Sequence, residues 1–131
     1  MTGARDIYVA VVDDDEGIRR SFGRLLRAAH FHPITYASAE EFLTDTQHPK
    51  FDCLVLDIQL GGMSGLELKK KLSVVKDDTP VVFITAHDDP EVCAIAEQCG
   101  HAGFFRKTDS GADVLASIRR ATNMARRNRE S

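Results

Sequence analysis

Residues 7–15 read Ile7-Tyr8-Val9-Ala10-Val11-Val12-Asp13-Asp14-Asp15. Six apolar residues, rich in β-branched side chains, run without alternation into three consecutive carboxylates. A strand with one wet face alternates polar and apolar side chains. A strand that is apolar throughout must be covered on both faces, as in a parallel sheet flanked by helices. The run is also far too short to cross a membrane, which takes about 20 apolar residues.

Cys53-Leu-Val-Leu56 and Val81-Val-Phe-Ile84 repeat the pattern. Pro33–Ala37 and Ala102–Phe105 are shorter strand candidates. Helical periodicity fills the intervals. Ile18, Phe22, Leu25, Leu26 and Ala29 fall on one helical face. Ser38-Ala-Glu-Glu41 and Ser64-Gly-Leu-Glu67 have the capping-box spacing. Asp89-Pro90 reads as an N-cap followed by proline in the first turn. Gly100 stands where a left-handed helix end is expected. A last helix is predicted to start near 108–110 and to turn Val114, Leu115, Ile118 and Ala121 inward.

Strand and helix therefore alternate five times, which predicts an α/β fold with a parallel sheet and helices on both faces. Right-handed crossovers leave few ways to connect it. The 131 residues suit a single domain. We expect that domain to span residues 1–123, with 124–131 as a basic C-terminal tail or the start of a linker. The tail holds Arg126, Arg127 and Arg129 and no apolar period.

The charge balance excludes some functions. With 17 basic against 20 acidic residues, the domain as a whole is a poor nucleic-acid binder. The arginines between 119 and 129 read as a solvated helix face. Met1 to Asp6 carries no apolar signal segment, and Cys53, Cys93 and Cys99 form no C-x-x-C pair. Reduced thiols in a cytoplasmic protein, with no membrane partner, are the expectation. Cys93 and Cys99 lie about 240° apart around a helix and share no face, and all three thiols read as structural. His30 and His32 read as ordinary loop residues.

In open parallel sheets, chemistry collects at the carboxyl ends of the strands. There the sequence places Asp13-Asp14-Asp15, Asp57, Thr85-Ala86 and Arg106-Lys107. Asp15 suits a helix N-cap. The remaining carboxylates repel once gathered: two unit charges about 4 Å apart oppose each other by roughly 4 kcal/mol at an effective dielectric near 20. A divalent cation resolves the conflict, and an all-oxygen donor set without a His/Cys cluster favours Mg²⁺ over zinc. Lys107 adds a compact positive charge for a phosphoryl oxygen and Thr85 a hydroxyl. Metal, nucleophilic carboxylate, cation and hydroxyl together suit in-line phosphoryl transfer to an aspartate. Asp57 is the candidate nucleophile, because it alone ends the central strand, and Asp13 and Asp14 are candidate metal ligands.

Val11-Val-Asp-Asp14, Leu54-Val-Leu-Asp57, Ile84-Thr-Ala86 and Phe104-Phe-Arg-Lys107 resemble, in order and spacing, the response-regulator receiver domain of bacterial two-component signalling, of the CheY-like superfamily. The resemblance covers about residues 6–123, and Ala37-Ser-Ala-Glu-Glu-Phe-Leu43 looks most like the FixJ-type branch. It implies the flavodoxin-like, doubly wound (βα)5 fold with strand order 2-1-3-4-5. It implies that Asp57 accepts phosphate from a sensor histidine kinase or a histidine phosphotransfer protein. Asp14, Asp57 and the backbone carbonyl of Gln59 would hold Mg²⁺, with Asp13 acting through water. Thr85 and Lys107 would bind phosphoryl oxygens, and Thr85 with Phe104 would form the switch. The side chains of Gln59 and His87 would tune loss of the phosphoryl group.

The face of helix four, strand five and helix five would then control a downstream protein or effector domain, or a phosphorylation-dependent homodimer. The only chemistry expected is on the domain itself. Gly61 and Thr108 stand where the family commonly has proline. That makes the loop after Asp57 more flexible and removes the residue that would favour a cis peptide after Lys107.

Two other readings compete. One is a small Mg²⁺-dependent phosphohydrolase that forms an aspartyl-phosphate, and such enzymes carry a second acid where this chain has Gln59. The other is an interaction module that works without phosphate.

Overall fold

The structure is a computed structural model that describes residues 6–86, 90–99 and 103–130. Five parallel strands form one sheet: β1 (Tyr8–Val12), β2 (His32–Tyr36), β3 (Cys53–Asp57), β4 (Val81–Thr85) and β5 (Gly103–Arg106), in the order β2-β1-β3-β4-β5. Helices α1 (Glu16–Ala28), α2 (Ala39–Thr44), α3 (Gly65–Val74), α4 (Pro90–Cys99) and α5 (Gly111–Glu130) alternate with them. This is the doubly wound fold expected from the sequence.

The unbroken apolar runs have a direct cause. Val9 and Val11 of β1, Cys53 and Val55 of β3, and Val82 and Ile84 of β4 face one layer, with Leu26 of α1 and Val114, Ile118 and Ala121 of α5. Ala10 and Val12, Leu54 and Leu56, and Val81 and Phe83 face the other, with Ala39 and Phe42 of α2 and Leu68 and Leu72 of α3. Successive side chains point to opposite faces, so both must be apolar. Truncating Leu56 or Phe83, both wholly buried, to alanine should cost about 3–5 kcal/mol.

Local signals act as their residue types dictate. Asp15 caps α1, accepting from the amides of Gly17 (2.8 Å) and Ile18 (3.2 Å). Ser64 and Glu67 form a complete capping box at α3. Ser38 accepts from Glu41 N at α2. Ser110 starts α5, its hydroxyl accepting from Ala112 N at 3.2 Å. Strand bounds shift by a residue from those read in the sequence. Asp57 and Thr85 lie inside β3 and β4, because their backbones continue the ladder opposite Ile84 and Arg106. β2 starts one residue early, and its Pro33 sits on an edge strand, the place in a sheet that tolerates a missing N–H. The caps read at Asp89 and Gly100, the start of strand five at Ala102, the side chain of His87 and that of Cys99 lie outside the described residues. The backbone of α5 continues as helix through Glu130.

Candidate functional site

The carboxyl ends of β1, β3 and β5 bring Asp13, Asp57 and Lys107 together. Lys107 Nζ lies 3.0 Å from Asp57 Oδ2, 3.1 Å from Asp13 Oδ2 and 3.3 Å from Asp13 Oδ1. Both carboxylates are buried and the lysine side chain is only 16% exposed, so water screens these charges little. Asp14 is exposed at the rim, and a carboxylate oxygen from each of Asp13, Asp14 and Asp57 falls within 4.8 Å of the others. Among the described residues this trio is the one grouping of His, Cys, Asp and Glu with such spacing.

Backbone geometry holds the carboxylates in place. Asp13 N donates to Tyr36 O on the neighbouring strand, and Asp15 N donates to Asp13 Oδ1 at 2.9 Å. Arg19 of α1 reaches back to the Asp13 carbonyl with a guanidinium N–H at 2.7 Å. Gln59 N donates to Asp57 Oδ1 at 3.0 Å, so the chain turns back over its own carboxylate. Gly65, at the start of α3, packs so closely that a Cβ there would lie 2.3 Å from the Asp57 carbonyl oxygen. Neither Arg19 nor Gly65 stands out in the sequence as part of the site. Gly65 appears there only inside a cap pattern, and Arg19 is one of several arginines on α1.

The electrostatics follow from the burial. Asp57 is pushed up from 3.8 to about 6, first by loss of hydration and then by the Asp13 charge, against the hydrogen bonds and charge of Lys107 and the Gln59 amide. Burial alone would lower Lys107, but its bonds to Asp57 and Asp13 and their charges outweigh that, and its pKa rises. One ammonium between two buried carboxylates leaves an excess of negative charge with oxygen donors on several sides. That donor set fits a hard, partly hydrated cation such as Mg²⁺. Asp13, Asp14 and Asp57 are the side chains able to hold it.

The other residues picked from the sequence distribute around this centre. Thr85 is wholly buried at the end of β4, and its carbonyl accepts from Lys107 N at 2.9 Å. Phe104 is half-buried against the layer that contains Leu56 and Phe83. The side chain of Gln59 is exposed. The Lys107–Thr108 peptide is trans. Asp109 closes that turn, exchanging hydrogen bonds with the backbone of Arg106 at 2.8 and 3.0 Å. His32 lies away from the acidic trio, its ring near Tyr8 and Asp6. Cys53 is buried in the core and its thiol is pushed up to about 12, chiefly by desolvation.

Comparison with known proteins agrees with this fold. The family model described as "Response regulator receiver domain" matches residues 9–119. The chain is 31% identical over 97% of its length to the response regulator protein TmoT of Ectopseudomonas mendocina, and 34% identical over 94% to nodulation protein W of Bradyrhizobium diazoefficiens. It covers 58% and 54% of those two proteins, so it spans about half the length of the curated relatives it matches. The crystal structure of FixJ-N superposes with a TM-score of 0.83 at 31% identity, covering 92% of this chain and 96% of that one. Among the described residues, no helix is long and apolar enough to cross a membrane.

Proposed function

The chain belongs to the response-regulator receiver family, and from that premise we propose that Asp57 is its phosphoacceptor. The domain's role is that of a phosphoacceptor switch in two-component signalling. The observation that carries the assignment is the Lys107 ammonium, 3.0 Å from Asp57 and 3.1 Å from Asp13. A buried carboxylate perturbed by a second acid and a lysine at the carboxyl ends of the strands marks a functional site, and positioning plus charge neutralisation of this kind is what phosphoryl transfer requires.

The donor is a phosphohistidine on a sensor kinase or phosphotransfer protein. An Asp57 oxygen bonds to phosphorus as the phosphorus–nitrogen bond breaks, and the imidazole leaves with that electron pair. Asp57 must be ionised to attack. With a pKa near 6 it is largely so at neutral pH, and its weak hydration leaves it a better nucleophile than an exposed carboxylate. Bound Mg²⁺ supplies charge neutralisation for the phosphoryl oxygens. Asp14, Asp57 and the Gln59 carbonyl would hold it directly, and Asp13 would act through water. Lys107 pairs with a phosphoryl oxygen, and the Thr85 hydroxyl donates to another.

The new group adds about −1.5 to −2 charge. Lys107 and Thr85 shift toward it, and Phe104 turns into the space Thr85 leaves. The α4-β5-α5 face then favours a second arrangement, which a downstream protein, an effector domain or a second copy reads by its differential affinity. We assign the receiver to residues 1–123, with 124–131 as a basic C-terminal tail or the start of a linker, and we place it in the cytoplasm.

The test is phosphorylation by acetyl phosphate or phosphoramidate, followed by intact mass. A gain of one phosphoryl group that requires Mg²⁺ and disappears in Asp57→Asn is expected. An unmodified wild type, or a labelled Asp57→Asn, overturns the assignment. Turnover of a small phosphoester would favour the hydrolase reading.

A further inference from the structure

The backbone that follows Asp57 carries the carbonyl assigned to the metal, and it runs into a pair of glycines. Ile58 and Leu60 are buried and anchor the start of this loop. Gln59, Gly61 and Gly62 are exposed. Gly62 takes a φ of +77°, a conformation other residues rarely adopt. Two adjacent glycines have more backbone freedom than any other pair, so fixing the 59–62 backbone costs entropy that some contact must offset.

That contact comes from α2. Glu40 Oε2 accepts a hydrogen bond from Met63 N at 3.0 Å. The same oxygen lies over Gly62, where a Cβ would meet it at 2.9 Å. The bare glycine backbone and the carboxylate thus fit against each other, and a side chain at 62 would separate them. Glu40 is held in turn. Ala39 and Phe42 bury the other side of α2 in the core, and Ser38 caps the helix. The carboxyl is held below its ordinary range by the Met63 amide first and by its own backbone amide second.

We propose that Glu40 is a positioning residue for the metal site, clamping the Gly61–Met63 backbone so that the Gln59 carbonyl is preset for Mg²⁺. The proposal rests on the metal reading given above. Glu40 touches neither the acidic trio nor Lys107; it acts through the loop. Partners that orient metal ligands from one layer out typically change affinity by tenfold or more.

Mg²⁺ titration of the ¹⁵N-labelled chain, followed by NMR without any phosphodonor, tests this, together with amide exchange at Met63 in metal-free buffer. Glu40→Ala is expected to weaken Mg²⁺ binding about tenfold and to abolish protection of the Met63 amide. Glu40→Gln keeps an oxygen acceptor and should stay within about twofold of wild type. Gly61 has open space around its missing side chain, and its φ lies outside the left-handed region. Gly61→Pro should therefore stiffen the loop and recover most of the affinity lost in Glu40→Ala. Wild-type affinity in Glu40→Ala, or unchanged Met63 protection, overturns the clamp. A wild type that binds no Mg²⁺ instead overturns the metal reading beneath it.

Discussion

Lys107 and Asp57, 50 residues apart in the chain, meet at 3.0 Å across the end of the sheet. β5 does not neighbour β3, since β4 lies between them. The lysine must therefore reach over the end of β4, and its backbone amide, bonded to Thr85 O at 2.9 Å, sets the starting point of that reach. With that amide bond, the pair ties β3, β4 and β5 together at the end of the sheet.

Lys107→Ala should lower metal-free stability by about 3 kcal/mol near neutral pH, because it strands two buried carboxylates without a cation. The loss should shrink as pH falls, because Asp57 without the lysine takes up a proton more readily still. Urea midpoints with and without EDTA-treated buffer will show this. Added Mg²⁺ should restore part of the difference in the variant by binding the folded state alone.

Asp57 gives the metal-free protein a pH dependence of unusual sign for a carboxylate. Its folded pKa of about 6 lies above the ordinary carboxylate value of 3.8, so the folded state holds the proton more tightly than the unfolded one. Its stabilising contribution is full below about pH 4 and is lost as pH rises through about 6. Asp57→Asn removes that loss and should be the more stable protein at pH 7 in EDTA, by roughly 2–3 kcal/mol. The advantage should vanish near pH 4. Equal melting temperatures for the two proteins at pH 7 would argue against a raised Asp57.

Gly65→Ala should cost about 1–3 kcal/mol, the range for forcing an extra group into a packed site. The new Cβ cannot lie 2.3 Å from the Asp57 carbonyl oxygen, so β3 or the start of α3 must move. Phosphorylation by acetyl phosphate should slow at the same time. A variant that labels at the wild-type rate with an unchanged urea midpoint would show that the approach is not tight.

Cys53 should resist alkylation in the folded protein. It is wholly buried and its thiol is pushed up to about 12, so thiolate is scarce and inaccessible at neutral pH. Mass-spectrometric labelling should find Cys93, which is half-exposed, modified before Cys53. Cys53 should react only at the rate at which the whole domain opens.

Much of this was legible in the residues. The uninterrupted apolar runs at 7–12, 53–56 and 81–84 required cover on both faces, and both layers are there. The polar groups that follow each run pointed to one edge, and Asp13, Asp57 and Lys107 do meet. The exact strand ends were not legible, because apolar pattern stops at Leu56 and Ile84 while the ladder continues through Asp57 and Thr85. Contacts set by loop paths were also hidden. The bond from Met63 N to Glu40, 23 residues earlier, and that from Arg19 to the Asp13 carbonyl depend on where two turns happen to pass. Neither leaves a period or a spacing in the sequence.

Pro33 on β2 has a consequence for self-association. A sheet edge with every amide available is a template on which another extended chain can register, and this one breaks that template near its first rung. A second molecule adding there would forfeit a rung of the shared ladder. Assembly through continuous sheet growth is thereby disfavoured on the β2 side of the sheet.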